Sequence, residues 1–99
     1  MLDLATASHA QFEPFMGQTF ELPAAAGRIP LTLTEVRLLG AARHGTSRES
    51  FALTFTGAPT LRAPQGIYRL EHATLGAMEI FLVQTGADAK ASQFEAVFN

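Results

Sequence analysis

The stretch SFALTFT, residues 50–56, decides the fold. Phe51, Leu53 and Phe55 alternate with small or hydroxylated residues, and this period of two puts three large apolar side chains on one face of a β-strand. Gly57, Ala58 and Pro59 follow as a turn signal that ends the strand.

Working outward, the same rhythm recurs. Phe20 and Leu22 share one side of a first strand, and residues 23–27, PAAAG, read as a loop. Residues 31–39 are rich in β-branched and apolar side chains, but Leu31 and Leu33 are out of phase with Val36 and Leu38. A β-bulge near Thr34 and Glu35 would return both pairs to the core. Residues 40–49 are polar and read as a loop. Residues 67–74 and 77–85, joined at Leu75-Gly76, read as a hairpin, and Phe94, Ala96 and Phe98 make the inner face of a last strand. Before the first strand, Thr6 or Ser8 is placed to cap a short helix over residues 7–13, which Pro14 would end.

The expectation is a single mostly-β domain over residues 1–99, with six strands and one short N-terminal helix. Connections are short except around Ala24 and Arg43, which predicts a six-stranded antiparallel meander closed as a small barrel. A two-sheet β-sandwich is the alternative. An open edge ending in QFEAVFN, residues 93–99, would template aggregation. The last strand is therefore expected to pair on both sides, for instance with the first strand across the closure or with another subunit. The inward phase assigns Phe51, Leu53, Phe55, Leu70, Phe81, Phe94 and Phe98 to the core.

Composition narrows the function. The 99 residues are 47% hydrophobic and 16% charged, too apolar for a disordered chain. There is no cysteine, hence no disulfide, thiol nucleophile or thiolate metal site. A net charge of −2 offers no basic face for a phosphate backbone, so nucleic acid is not an expected partner. The start MLDLATASHAQ has no basic segment, and no apolar run reaches the 18 or so residues of a membrane span. No membrane association is expected, and the cytoplasm is the default address.

Several spacings resemble a known pattern. They are Phe12-x-Pro14-x-x-Gly17-x-x-Phe20-x-Leu22, Ser50-Phe51-x-Leu53-x-Phe55-x-Gly57, and Gln65-Gly66-x-Tyr68-x-Leu70-x-His72 with Leu75-Gly76. Ile80-Phe81-Leu82-Val83 and the closing Phe94-Glu95-Ala96-Val97-Phe98-Asn99 complete the set. Together they resemble a family of bacterial proteins of this length known as a domain of unknown function. The resemblance covers nearly the whole chain and brings no catalytic residues. It implies a bacterial setting near genes for phage-tail-like proteins.

The three histidines, His9, His44 and His72, form no metal-ligand spacing, and neither a phosphate loop nor a nucleophile elbow occurs. No cofactor or metal is expected. The hairpin register places His72 opposite Glu79, Leu70 opposite Phe81 and Tyr68 opposite Val83, so one face would hold Tyr68, His72 and Glu79. A carboxylate bonded to an imidazole orients the ring as a general base requires; the same pair is also an ordinary cross-strand stabiliser. His44, between Arg43 and Arg48, is a candidate anion contact in a solvated loop. His9 reads as a surface or helix-packing residue, and Ser47 and Ser50 as turn caps. Phe12, Phe15 and Met16 form an apolar cluster around Pro14, which is either a docking surface or a plug for one barrel end.

The expected function is a non-enzymatic structural or protein-interaction domain of a bacterial assembly, phage-tail-like by the resemblance, that binds a protein partner or its own copies. The alternative is a small-ligand-binding barrel or minor hydrolase using Tyr68, His72 and Glu79, for which a pocket of about 300 Å³ lined by all three would speak.

Overall fold

The alternation centred on Leu53 builds a strand, and five others stand around it to close a barrel. In the computed structural model the described residues are 7–25, 27–40 and 50–98. A one-turn helix α1 (His9–Phe12) runs into a 3-10 turn (Glu13–Phe15). The strands are β1 (Thr19–Ala24), β2 (Gly27–Gly40), β3 (Ser50–Gly57), β4 (Gly66–His72), β5 (Gly76–Ala87) and β6 (Ser92–Phe98). The closed barrel overturns the sandwich alternative.

The strand order is β1-β2-β3-β6-β5-β4, antiparallel throughout. Instead of one continuous meander there are two of three strands, β1-β2-β3 and β4-β5-β6. They join along β3–β6 and close along β1–β4. Their middle strands do the same job. The first part of β2 pairs with β1 and the rest with β3; the first part of β5 pairs with β4 and the rest with β6. Each middle strand carries an irregularity where it changes partner or just beyond, between Leu33 and Glu35 in β2 and between Gln84 and Gly86 in β5. An extra residue there increases bend and twist, which lets one long strand serve two walls. These two strands are accordingly longer than the pattern suggested.

The bulge expected at Thr34 is present, and it restores Val36 to packing against the core. Leu38, the cross-strand partner of Phe51, is nevertheless 49% exposed. The connection expected to be long at Ala24 is a tight hairpin, closed by the Ala24–Gly27 pair. The polar segment 41–49, with Arg43, His44, Ser47 and Arg48, lies outside the described residues. Ser8 starts α1 by donating its backbone N–H to Gln11 Oε1 at 2.8 Å. Pro14 does not end the helical path but sits inside the 3-10 turn, whose early positions need no proline N–H.

The last strand lies between β3 and β5, paired on both sides as expected. The strand across the closure from β1 is β4, not β6, and the registered pair there is Glu21 with Glu71. Phe94, Ala96 and Phe98 face inward opposite Phe55, Leu53 and Phe51. Phe12 from α1 lies over this end of the barrel, its ring 6.0 Å from Phe51 and 6.1 Å from Phe98.

The β4–β5 hairpin departs from expectation. Its loop is residues 73–75, and Gly76 opens β5 with φ of 80°, a left-handed geometry that glycine adopts without strain. His72 therefore faces Gly76, Leu70 faces Met78 and Tyr68 faces Ile80. This is three residues away from the even-loop register, and an odd slip turns every side chain of β5 over. Met78, Ile80 and Leu82 fill the core, while Phe81, expected there, projects outward and is 50% exposed.

Candidate functional site

The slip separates the residues that the sequence grouped. Tyr68 and His72 point inward, but Glu79 stands on the outer wall beside Arg69, so no face holds all three. His72 is buried, and both its ring nitrogens serve the fold. Nδ1 accepts the backbone N–H groups of Thr74 at 3.0 Å and Leu75 at 3.2 Å, which fixes the hairpin loop. With Nδ1 accepting, the proton sits on Nε2, which donates to Gln18 Oε1 at 2.8 Å. The ring packs 4.6 Å from Phe20 and 4.9 Å from Phe15, centroid to centroid. This is an imidazole used to tie the end of β4 to the segment leading into β1, with no lone pair left for a substrate. Tyr68 donates its hydroxyl to the Pro64 carbonyl.

The aromatic cluster around Pro14 divides by position. Phe12 is fully buried against the barrel end and Phe15 is half-buried beside His72, while Met16 is exposed. His9 lies 4.0 Å from Glu13, one turn on.

At the opposite end the barrel opens into a cavity of about 260 Å³. Leu22 and Ile29 of the first hairpin, Leu31, Leu82 and Phe94 form its apolar walls. A strap, residues 58–65, crosses between β3 and β4 and contributes Leu61, Arg62 and Pro64, with Tyr68 behind it. The strap is pinned from inside. The Gln84 side chain accepts from Ala63 N–H at 3.1 Å and donates to the Leu61 carbonyl at 3.0 Å. Ser92 Oγ donates to the Ala58 carbonyl at 2.8 Å. Gly57 admits the strap, because a Cβ there would stand 2.9 Å from both Leu31 Cδ2 and Leu61 Cδ2. Gln84 and Ser92 were missed in the sequence because a polar residue in an inward phase reads as an irregularity until its partner is known.

A second, shallow depression of about 490 Å³ lies on the β1–β4 seam, beside Thr19, Glu21, Arg28, Glu71 and His72. Glu21 and Glu71 are cross-strand neighbours of like charge, and Arg28 bonds both, Glu21 at 3.4 Å and Glu71 more closely. Arg69 adds a contact to Glu71 at 3.0 Å. Hydrogen bonds from Arg28 and then Arg69 hold the Glu71 carboxyl below the usual carboxylate range, and the bond to Glu71 likewise raises Arg28. No metal-binding group of three or more His, Cys, Asp or Glu occurs among the described residues.

The outer wall carries the feature that the assumed register hid. Ile67, 72% exposed, is the cross-strand partner of Phe81. Val97 on β6 is also exposed, two residues past the Val83–Glu95 pair at which the β5–β6 ladder begins. The row is flanked by Arg69 and Glu79 on one side and by Glu95, bonded to Arg37 at 3.2 Å, on the other.

These features define a small closed six-stranded barrel with one end plugged by a short helix and the other open to an apolar cavity. The chain belongs to the family described as Domain of unknown function (DUF6916), whose model matches residues 7–98. No curated protein and no solved structure matches it. Among the described residues no helix is long and apolar enough to cross a membrane.

Proposed function

We propose that the domain is a non-enzymatic interaction module that associates through the outer face of β4, β5 and β6, with a second copy of the chain as its first partner. The observation that carries this reading is the exposed cross-strand pair Ile67–Phe81. Single exposed apolar residues are ordinary on a soluble domain, but adjoining ones on a sheet face rimmed by charge have the composition of a contact surface. The complementary charges of Arg69 and Glu79 beside the row suit a two-fold contact, in which each would meet its opposite. The engagement of both His72 nitrogens within the fold supports a role without catalysis. A larger bacterial assembly, phage-tail-like, is the setting that the sequence resemblance suggests, with the cytoplasm as the default address.

Sedimentation equilibrium tests the reading. The unmodified chain should show a concentration-dependent mass above the monomer, and the I67S/F81S double variant should be a folded monomer. A chain that stays monomeric to millimolar concentration, or a double variant that associates as before, overturns it.

A further inference from the structure

We propose that the cavity at the open barrel end binds a small carboxylate with an apolar body, such as a short-chain aliphatic acid, and that Arg62 receives its carboxylate. The cavity is distinct from the outer face of β4, β5 and β6. Its walls, Leu22, Ile29, Leu31, Leu82 and Phe94, offer no charge, and a volume of about 260 Å³ suits a ligand of roughly ten non-hydrogen atoms at most. The rim supplies what the walls lack. Arg62 lines the cavity, and its Nη1 donates to the carbonyls of Pro59 and Leu61, at 2.9 Å each, which fixes the guanidinium to the strap.

Among the described residues no carboxylate pairs with Arg62, whereas Arg28, Arg37 and Arg69 all have one. A guanidinium held by two neutral carbonyls keeps its charge and several N–H donors for an external acceptor. An apolar slot with one fixed cation at its mouth selects an amphipathic anion over a neutral molecule of the same shape. The strap bonds made by Gln84 and Ser92 hold the slot open before any ligand arrives, which lowers the ordering cost of binding.

The test uses hexanoate and hexanol at neutral pH, read by methyl signals of Leu22, Leu31 and Leu82. Hexanoate should shift these signals saturably at millimolar concentration, and hexanol about tenfold more weakly, the usual worth of a hydrogen bond to a charged group. R62Q should reduce hexanoate to the level of hexanol while leaving signals of the plugged end, such as Leu53 and Leu70, unmoved. If R62Q does not fold, the acid and alcohol compared on the unmodified chain still decide. Absence of saturable shifts with hexanoate, equal affinity for acid and alcohol, or an R62Q chain that binds hexanoate undiminished overturns the proposal. These outcomes are independent of sedimentation behaviour, so this site and the outer face stand or fall separately.

Discussion

The rings of Phe51 and Phe98 lie parallel, 6° between their planes and 4.5 Å between centroids, where β3 begins and β6 ends. Phe12 covers the pair. Deleting residues 94–99 removes Phe94 and Phe98 from the core, about 3–6 kcal/mol of transfer free energy, and opens both β3 and β5 to solvent. That is comparable to much of the stability of a domain of this size. The truncated chain should be insoluble; a soluble product melting like the parent would contradict the central place of β6.

Phe55 and Phe81 test the observed β5 register. Phe55 is wholly buried, with Phe20 5.3 Å away edge-on, so F55A should cost about 3–5 kcal/mol. F81S removes an outward ring and should change monomer stability by about 0.5 kcal/mol or less. Chemical denaturation of the two variants separates this register from one with Phe81 inside, for which both would be strongly destabilised.

Gly57 faces two leucine methyl groups that a Cβ would crowd. Leu31 and Leu61 also line the open-end cavity, so both have space to withdraw into. G57A should therefore cost about 1 kcal/mol, the low end for overpacking, or about 4–8 °C in melting temperature. It should also narrow the cavity. A melting temperature equal to the parent's would show that the strap does not approach Gly57 so closely in solution.

The Glu71 carboxyl titrates below its ordinary value because Arg28 and Arg69 bond its charged form. A group with a depressed folded value contributes stability that is fully present above its unfolded pKa, about 4.3, and is lost as pH falls through the folded value. The β1–β4 seam should thus weaken only in acid. Melting curves from pH 7 to pH 2 should fall less steeply for E71Q than for the parent. Parallel profiles would mean that the Arg28 contact does not persist in solution.

Period-two patterning made most of the barrel legible. Phe51, Leu53 and Phe55 show their inward phase within one strand, and the phase conflict between Leu33 and Val36 can be resolved locally by a bulge. Turn residues mark strand ends for the same reason, since backbone geometry is set by near neighbours. The candidate site was much less legible. Tyr68 and His72 were rightly put on one face, but Glu79 depended on whether the hairpin loop is odd or even, and Leu75-Gly76 does not settle that.

By itself the sequence determined the class, the six strands, the inward faces of β1, β3, β4 and β6 and the burial of Phe94 and Phe98, because side-chain alternation is a property of a single extended segment. Only the tertiary structure decided that β6 inserts between β3 and β5, that β4 closes on β1, and that Phe81 meets Ile67 outside. It also decided that Arg62 is among the residues lining an apolar cavity. Each of these depends on the pairing of segments distant in sequence or on one residue of register, which local alternation leaves equally satisfied in more than one arrangement.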